Sequence, residues 1–153
     1  MSLRLVRLFF VFCLTYLLEM SMVTAQTPAP TGSTFPNRFT GRQIVVTLGS
    51  DTDRPEYRLL DNGLMYYREG SEGGFTQLGQ QKKDTTQKVF ARLEQTCKIK
   101  TTKLEKPENP AVTVTWKRAK TEFAVGWEKR KAPDEYEQFY DQFMELFPKN
   151  RRK

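Results

Sequence analysis

The apolar positions of this chain change period several times, and each change marks an element. QIVVTL at 43–48 is nearly unbroken in apolar and β-branched residues and reads as a buried strand, ended by the turn formers of GSDTDRP. EYRLL and LMYYR flank Asp61-Asn62-Gly63, which predicts a hairpin. Two turns fit it: a type I′ turn on Asn62-Gly63, or a type I turn with Gly63 in the left-handed position. The loop EGSEGG then leads into a short segment at FTQL. In DTTQKVFARLEQTC the period becomes helical, with Val89, Phe90, Leu93 and Cys97 on one face and Lys88, Arg92 and Glu94 falling largely on the other. Asp84, with Gln87 three residues on, is the expected N-cap.

Strict alternation returns after KPENP. Val112, Val114 and Trp116 alternate with Thr113, Thr115 and Lys117, and Phe123, Val125 and Trp127 with Glu122, Ala124 and Glu128. A loop over 118–121 sets Trp116 opposite Phe123 and Val114 opposite Val125 on the core face, with Lys117 meeting Glu122 on the wet face. PDEYEQFYDQFMELFP opens with Pro133 and acids, as a helix N-terminus does, and carries Tyr136, Phe139, Tyr140, Phe143, Met144 and Phe147 on its apolar face. Runs of hairpins interrupted by two helices predict an α+β fold: an antiparallel sheet built of hairpins, with both helices packed on one face.

The N-terminus follows a different logic. Arg4 and Arg7, an apolar run from Leu8 to Leu18 and small residues ahead of Gln26 read as a secretory signal peptide over 1–25, cleaved after Ala25. The run is too short for a membrane span, which needs about 20 apolar residues. Residues 26–38 read as a flexible Pro/Thr-rich linker, 39–148 as one α+β domain and 149–153 as a basic tail. The protein is therefore expected to be exported, to a periplasm or the extracellular space.

Composition then removes mechanisms. The chain has no histidine, which rules out Ser–His–Asp and Cys–His catalysis and imidazole-based zinc sites. With Cys13 in the signal peptide, Cys97 has no intramolecular disulfide partner, and its place beside Val89 and Leu93 makes it a buried hydrophobe rather than a nucleophile. Asp51 and Asp53 lack the further ligands of a calcium loop and read as an ordinary acidic turn. Glu69, Glu72, Asp134, Glu135 and Glu137 have no spacing that fixes a catalytic carboxylate pair. The nine glycines spell no dinucleotide or phosphate motif. No cofactor, metal or catalytic residue is expected.

What remains is charge. The formal net charge of the whole chain is +7, and between Lys98 and Lys131 ten Lys or Arg stand against four acids. Lys98, Lys100, Lys103, Lys117, Arg118 and Lys120 are the candidate partner contacts, facing a protein or an acidic polymer. Nucleic acid is disfavoured, because the chain is exported and has no RNP-type aromatic motif.

The order of these elements, carried by LLDNGLMYYREG, VFARLEQTCKI, VTVTWKRAKTEFAVGW and PDEYEQFYDQF, resembles that of the small emfourin-like inhibitors of thermolysin-type metalloproteases. The resemblance implies a non-catalytic protein that binds another protein, and carries no functional residue across. The expected function is an exported, non-enzymatic binding or inhibitor-like module. The alternative is a small enzyme using carboxylate or thiol chemistry, or a cofactor-binding oxidoreductase without a recognisable dinucleotide motif.

Overall fold

The computed structural model describes residues 35–49, 53–103 and 107–152. The predicted signal peptide, most of the predicted linker, Asp51 and Lys153 lie outside the described residues. Six strands form one sheet: β1 (Arg42–Leu48), β2 (Glu56–Leu60), β3 (Leu64–Arg68), β4 (Thr76–Gln80), β5 (Val112–Arg118) and β6 (Thr121–Trp127). Their order is β4-β3-β2-β1-β5-β6 and every neighbouring pair is antiparallel. The most apolar strand, β1, therefore sits inside, with Ile44 opposite Leu59 on one side and Trp116 on the other.

Helix α1 (Lys83–Ala91) continues into a π segment (Arg92–Thr96), and α2 (Asp134–Glu145) follows β6. Ile44, Val46, Tyr57, Leu59, Val114, Trp116, Val125 and Trp127 pack with Phe90, Leu93, Phe139, Phe143 and Phe147 in one core. Alternation puts those strand residues on a single face of the sheet, so both helices cover that face. Each such side chain, fully buried, contributes about 1.5–3 kcal/mol. The α+β expectation holds.

Several local expectations are sharpened or corrected. Gly63 has φ +88° while Asn62 does not enter the left-handed region, and the Gly63 N–H bonds the Leu60 carbonyl at 2.9 Å. The first hairpin thus turns by a type I turn with Gly63 left-handed, not by type I′. The second hairpin has the expected register, but Arg118 still pairs with Thr121, so the loop is Ala119-Lys120 alone, with Ala119 at φ +50°. Asp84 is not the N-cap: the helix starts at Lys83, Lys82 is the cap without a side-chain bond, and Asp84 sits in the first turn, where its charge favours the positive end of the helix dipole.

The ends are docked as well. Arg152 donates from Nε to the Phe147 carbonyl at 2.7 Å and from Nη2 to the Glu145 carbonyl at 2.8 Å, satisfying acceptors that the last turn of α2 leaves open. The Tyr57 hydroxyl donates to the Arg151 carbonyl. The predicted basic tail is therefore, through residue 152, a clasp on the core. Phe35, placed by sequence in the linker, packs edge-on against Tyr66 with ring centroids 5.5 Å apart. Among the described residues no helix is long and apolar enough to cross a membrane.

Candidate functional site

The face of the sheet that the helices leave open carries the positions between the core residues. Three rows cross it. Arg58, Val45, Thr115 and Ala124 lie side by side in register, as do Glu56, Thr47, Thr113 and Gly126, and then Leu60, Gln43, Lys117 and Glu122. Val45, Thr47, Thr113, Thr115 and Ala124 are short, whereas Glu56, Arg58, Lys117 and Glu122 are long. Short residues at the middle and long ones at the margins make a trough of about 400 Å³, closed at one end by the loop 107–110. Pro110 seals that end because residue 126 is glycine: a Cβ there would lie 3.1 Å from the Pro110 Cβ.

One wall of the trough is built from charge. Glu56 is only 7% exposed, a burial that a carboxylate tolerates only when paired. Arg58 and Arg68, its neighbours on β2 and β3, both bond it. Their guanidinium carbons also lie 4.4 Å and 4.6 Å from the centroid of the Phe75 ring, so one aromatic ring holds both cations over one carboxylate. The cluster leaves one positive charge in excess. At the opposite wall Lys117 stands 3.7 Å from the Glu122 carboxylate, both half-exposed. Arg54 lines the trough with no ion pair among the described residues. The hydroxyls of Thr47, Thr113 and Thr115 have no partner among the described residues and face the trough.

The six basic residues singled out by sequence do not form one surface. Lys117 borders the trough, and Arg118 and Lys120 are exposed at the tip of the β5–β6 hairpin. Lys98, Lys100 and Lys103 follow the π segment, and Lys100 lies on the helix side, its Nζ 4.2 Å from the centroid of the Trp116 ring and 3.3 Å from Glu94 Oε1. Trp116 Nε1–H donates to the same carboxylate oxygen at 2.6 Å, so Lys100, with its side chain 40% exposed, stands on the helix side of the sheet, away from the trough. Sequence reasoning missed Arg54, Glu56, Arg58, Arg68 and the threonine floor. The signal was present in the period of two: Glu56 and Arg58 share a face of EYRLL, and Thr113 and Thr115 share the same face of VTVTW.

Cys97 lies in the core, 4% exposed, with Sγ 3.4 Å from the Glu135 carbonyl. Burial pushes its thiol up to about 11 against the pull of Arg92, so at neutral pH it is a thiol and not a nucleophilic thiolate. Among the described residues no three His, Cys, Asp or Glu converge as metal ligands do. A second concavity, about 470 Å³, opens on the helix side between the α1–π segment and α2. No family model, curated protein or solved structure matches this chain.

Proposed function

We propose that the protein is an exported, non-enzymatic binding module that takes a partner protein's extended, acidic-leaning segment across the open face of its sheet. The observation that carries this reading is the trough itself. It is a groove with a floor of small side chains, unpartnered hydroxyls aimed into it and cationic groups at its margins. A segment with hydroxyl, amide and carboxylate groups finds donors along its length there, and Arg54, Lys117 and the net charge of the Arg58–Glu56–Arg68 cluster steer acids toward it. The element-order resemblance to emfourin-like inhibitors points the same way. The buried, protonated state of Cys97 speaks against the thiol enzyme held as an alternative, and Glu56 on the trough wall is taken up by its ion pairs with Arg58 and Arg68.

Site-specific photo-cross-linking tests the reading. A cross-linking residue at Thr113, in the trough, is expected to give one stoichiometric adduct with a protein of the exported fraction, while the same residue at Glu137, exposed on α2, gives none. Lys117→Glu should weaken that adduct several-fold. Equal labelling from both positions, or an adduct indifferent to Lys117→Glu, would refute the assignment of the open face.

A further inference from the structure

The π segment is the irregular part of the helical layer, and it borders a cavity. The Cys97 N–H bonds the Arg92 carbonyl at 3.0 Å, five residues back, instead of closing the α-helical bond. Such single wide turns are rare and frequent at functional sites. Here the turn supplies Arg92, Gln95 and Thr96 to the rim of the cleft between α1 and α2. The floor comes from Phe139 and Phe143, both buried, and half-buried Val89. The cleft, at about 470 Å³, is within the roughly 300–1,000 Å³ range of small-molecule sites.

The charged groups at this cleft are cationic donors. Arg92 gives one bond from Nη1 to Gln142 Oε1 at 2.7 Å and one from Nη2 to Gln138 Oε1 at 3.0 Å, and its Nε–H has no partner among the described residues. A guanidinium has five N–H groups, so three are uncommitted. Because the Gln142 oxygen is held by Arg92, its amide nitrogen is the end left to donate. Lys88 adds a second cation, and among the described residues no carboxylate lines the cleft. An apolar floor under an acid-free cationic rim is complementary to one kind of molecule.

We propose that the cleft between α1 and α2 binds a small amphipathic carboxylate, with its hydrocarbon or aryl body on Phe139, Phe143 and Val89 and its carboxylate at Arg92. The trough lies on the opposite face of the sheet, so this site stands or falls independently of the partner-binding reading. Three predictions of affinity follow from the division of labour: the apolar body supplies contact, Arg92 supplies charge selectivity, and the open cleft supplies room.

Calorimetric titration of the whole protein with octanoate, and with 1-octanol as the uncharged analogue, tests it. Octanoate is expected to bind at one site at least ten-fold more tightly than 1-octanol. Arg92→Met, which keeps the apolar stem of the side chain but not its charge, should abolish that discrimination while leaving 1-octanol binding within about two-fold. Ala91→Trp fills the cleft, leaves the bonds of Arg92 to Gln138 and Gln142 in place, and should remove both ligands, which keeps the test decisive if Arg92→Met does not fold. Absence of octanoate binding at millimolar concentration, equal affinity for the two probes, or octanoate binding that survives Ala91→Trp would overturn the proposal.

Discussion

Thr115 and Trp116 are adjacent on β5, yet they belong to different proteins in all but sequence: Trp116 looks into the helices and Thr115 into the trough. On the helix side the buried strand positions are apolar and fill space against other side chains, so their identity is set by volume. On the open side the buried residues include Gln43 at 1% exposure and Glu56 at 7%, whose burial requires partners that no volume argument supplies, and Thr115 at 9%. Gln43 donates to the Phe39 carbonyl at 2.8 Å and Glu56 draws in two arginines, while the trough threonines keep their hydroxyls uncommitted. One face of the sheet is organised for cohesion, and the other leaves polar groups open.

The sharpest break of that comparison uses the two neighbours. Trp116→Ala is expected to cost about 3–5 kcal/mol, since it empties a buried site and removes the indole N–H that donates to Glu94 at 2.6 Å. Thr115→Val, nearly isosteric and one residue away, should change stability by less than about 0.5 kcal/mol, because it touches neither core packing nor a made hydrogen bond. Urea denaturation of both variants decides the matter. A Thr115→Val cost comparable to that of Trp116→Ala would show that the open face is also structural.

Glu56→Gln probes the one place where the open face is tightly knit. Removing the charge leaves Arg58 and Arg68 half-buried without a counter-ion, and the expected loss is about 2–3 kcal/mol, at the low end for a broken buried pair because both arginines keep some contact with water. Measured stability at low and high salt checks it. A loss below about 0.5 kcal/mol would mean that Phe75, not the carboxylate, organises the two cations.

How much of this was legible follows the same division. The helix side announces itself through periodicity, and the Val114–Val125 and Trp116–Phe123 pairings follow from alternation once the hairpin is recognised. The open side is legible only in part. Its residues are in the gaps of the same pattern, but what covers them lies outside it: Phe39, just ahead of β1, and Phe75 and the loop 107–110 reach it through connections with no period. The helix cleft was hidden for another reason. The helical spacing of Val89, Phe90, Leu93 and Cys97 fits an α-helix, and nothing in those residue types declares that the ladder opens at Arg92. The charge count between Lys98 and Lys131 was correct as a count and misleading as a map, because strand alternation sends Lys117 to the trough while Lys100 packs on Trp116.

Cys97 sharpens the picture of the helix side through pH. Its thiol rises from 9.0 to about 11 because burial disfavours the thiolate. The native state therefore holds that proton more tightly than the unfolded chain does. The associated stability is fully present below pH 9, declines between pH 9 and 11, and is gone above; a shift of that size corresponds to about 2–3 kcal/mol at most. Burial also raises Tyr66, Tyr136 and Tyr140, which titrate in the same direction at higher pH, so the informative quantity is the difference between the protein and Cys97→Ala. That difference should shrink from pH 8 to pH 11. A difference independent of pH would mean that the thiol is solvated in the native state, and rapid thiol labelling of the folded protein would then accompany it.

The smallest effect belongs to the rim of the trough. Lys117 and Glu122 face each other across the hairpin at 3.7 Å with both side chains 40% and 52% exposed, so water screens the pair and holding two long side chains together has its own entropic cost. A double-mutant cycle with Lys117→Ala and Glu122→Ala should give a coupling of about 0–0.5 kcal/mol at physiological salt, and less at high salt. Such a weak pair suits a binding rim, since a partner carboxylate can take Lys117 from Glu122 at almost no loss to the fold. A coupling above about 1 kcal/mol would place the pair among the structural contacts, and a partner carboxylate could then take Lys117 only at a loss to the fold.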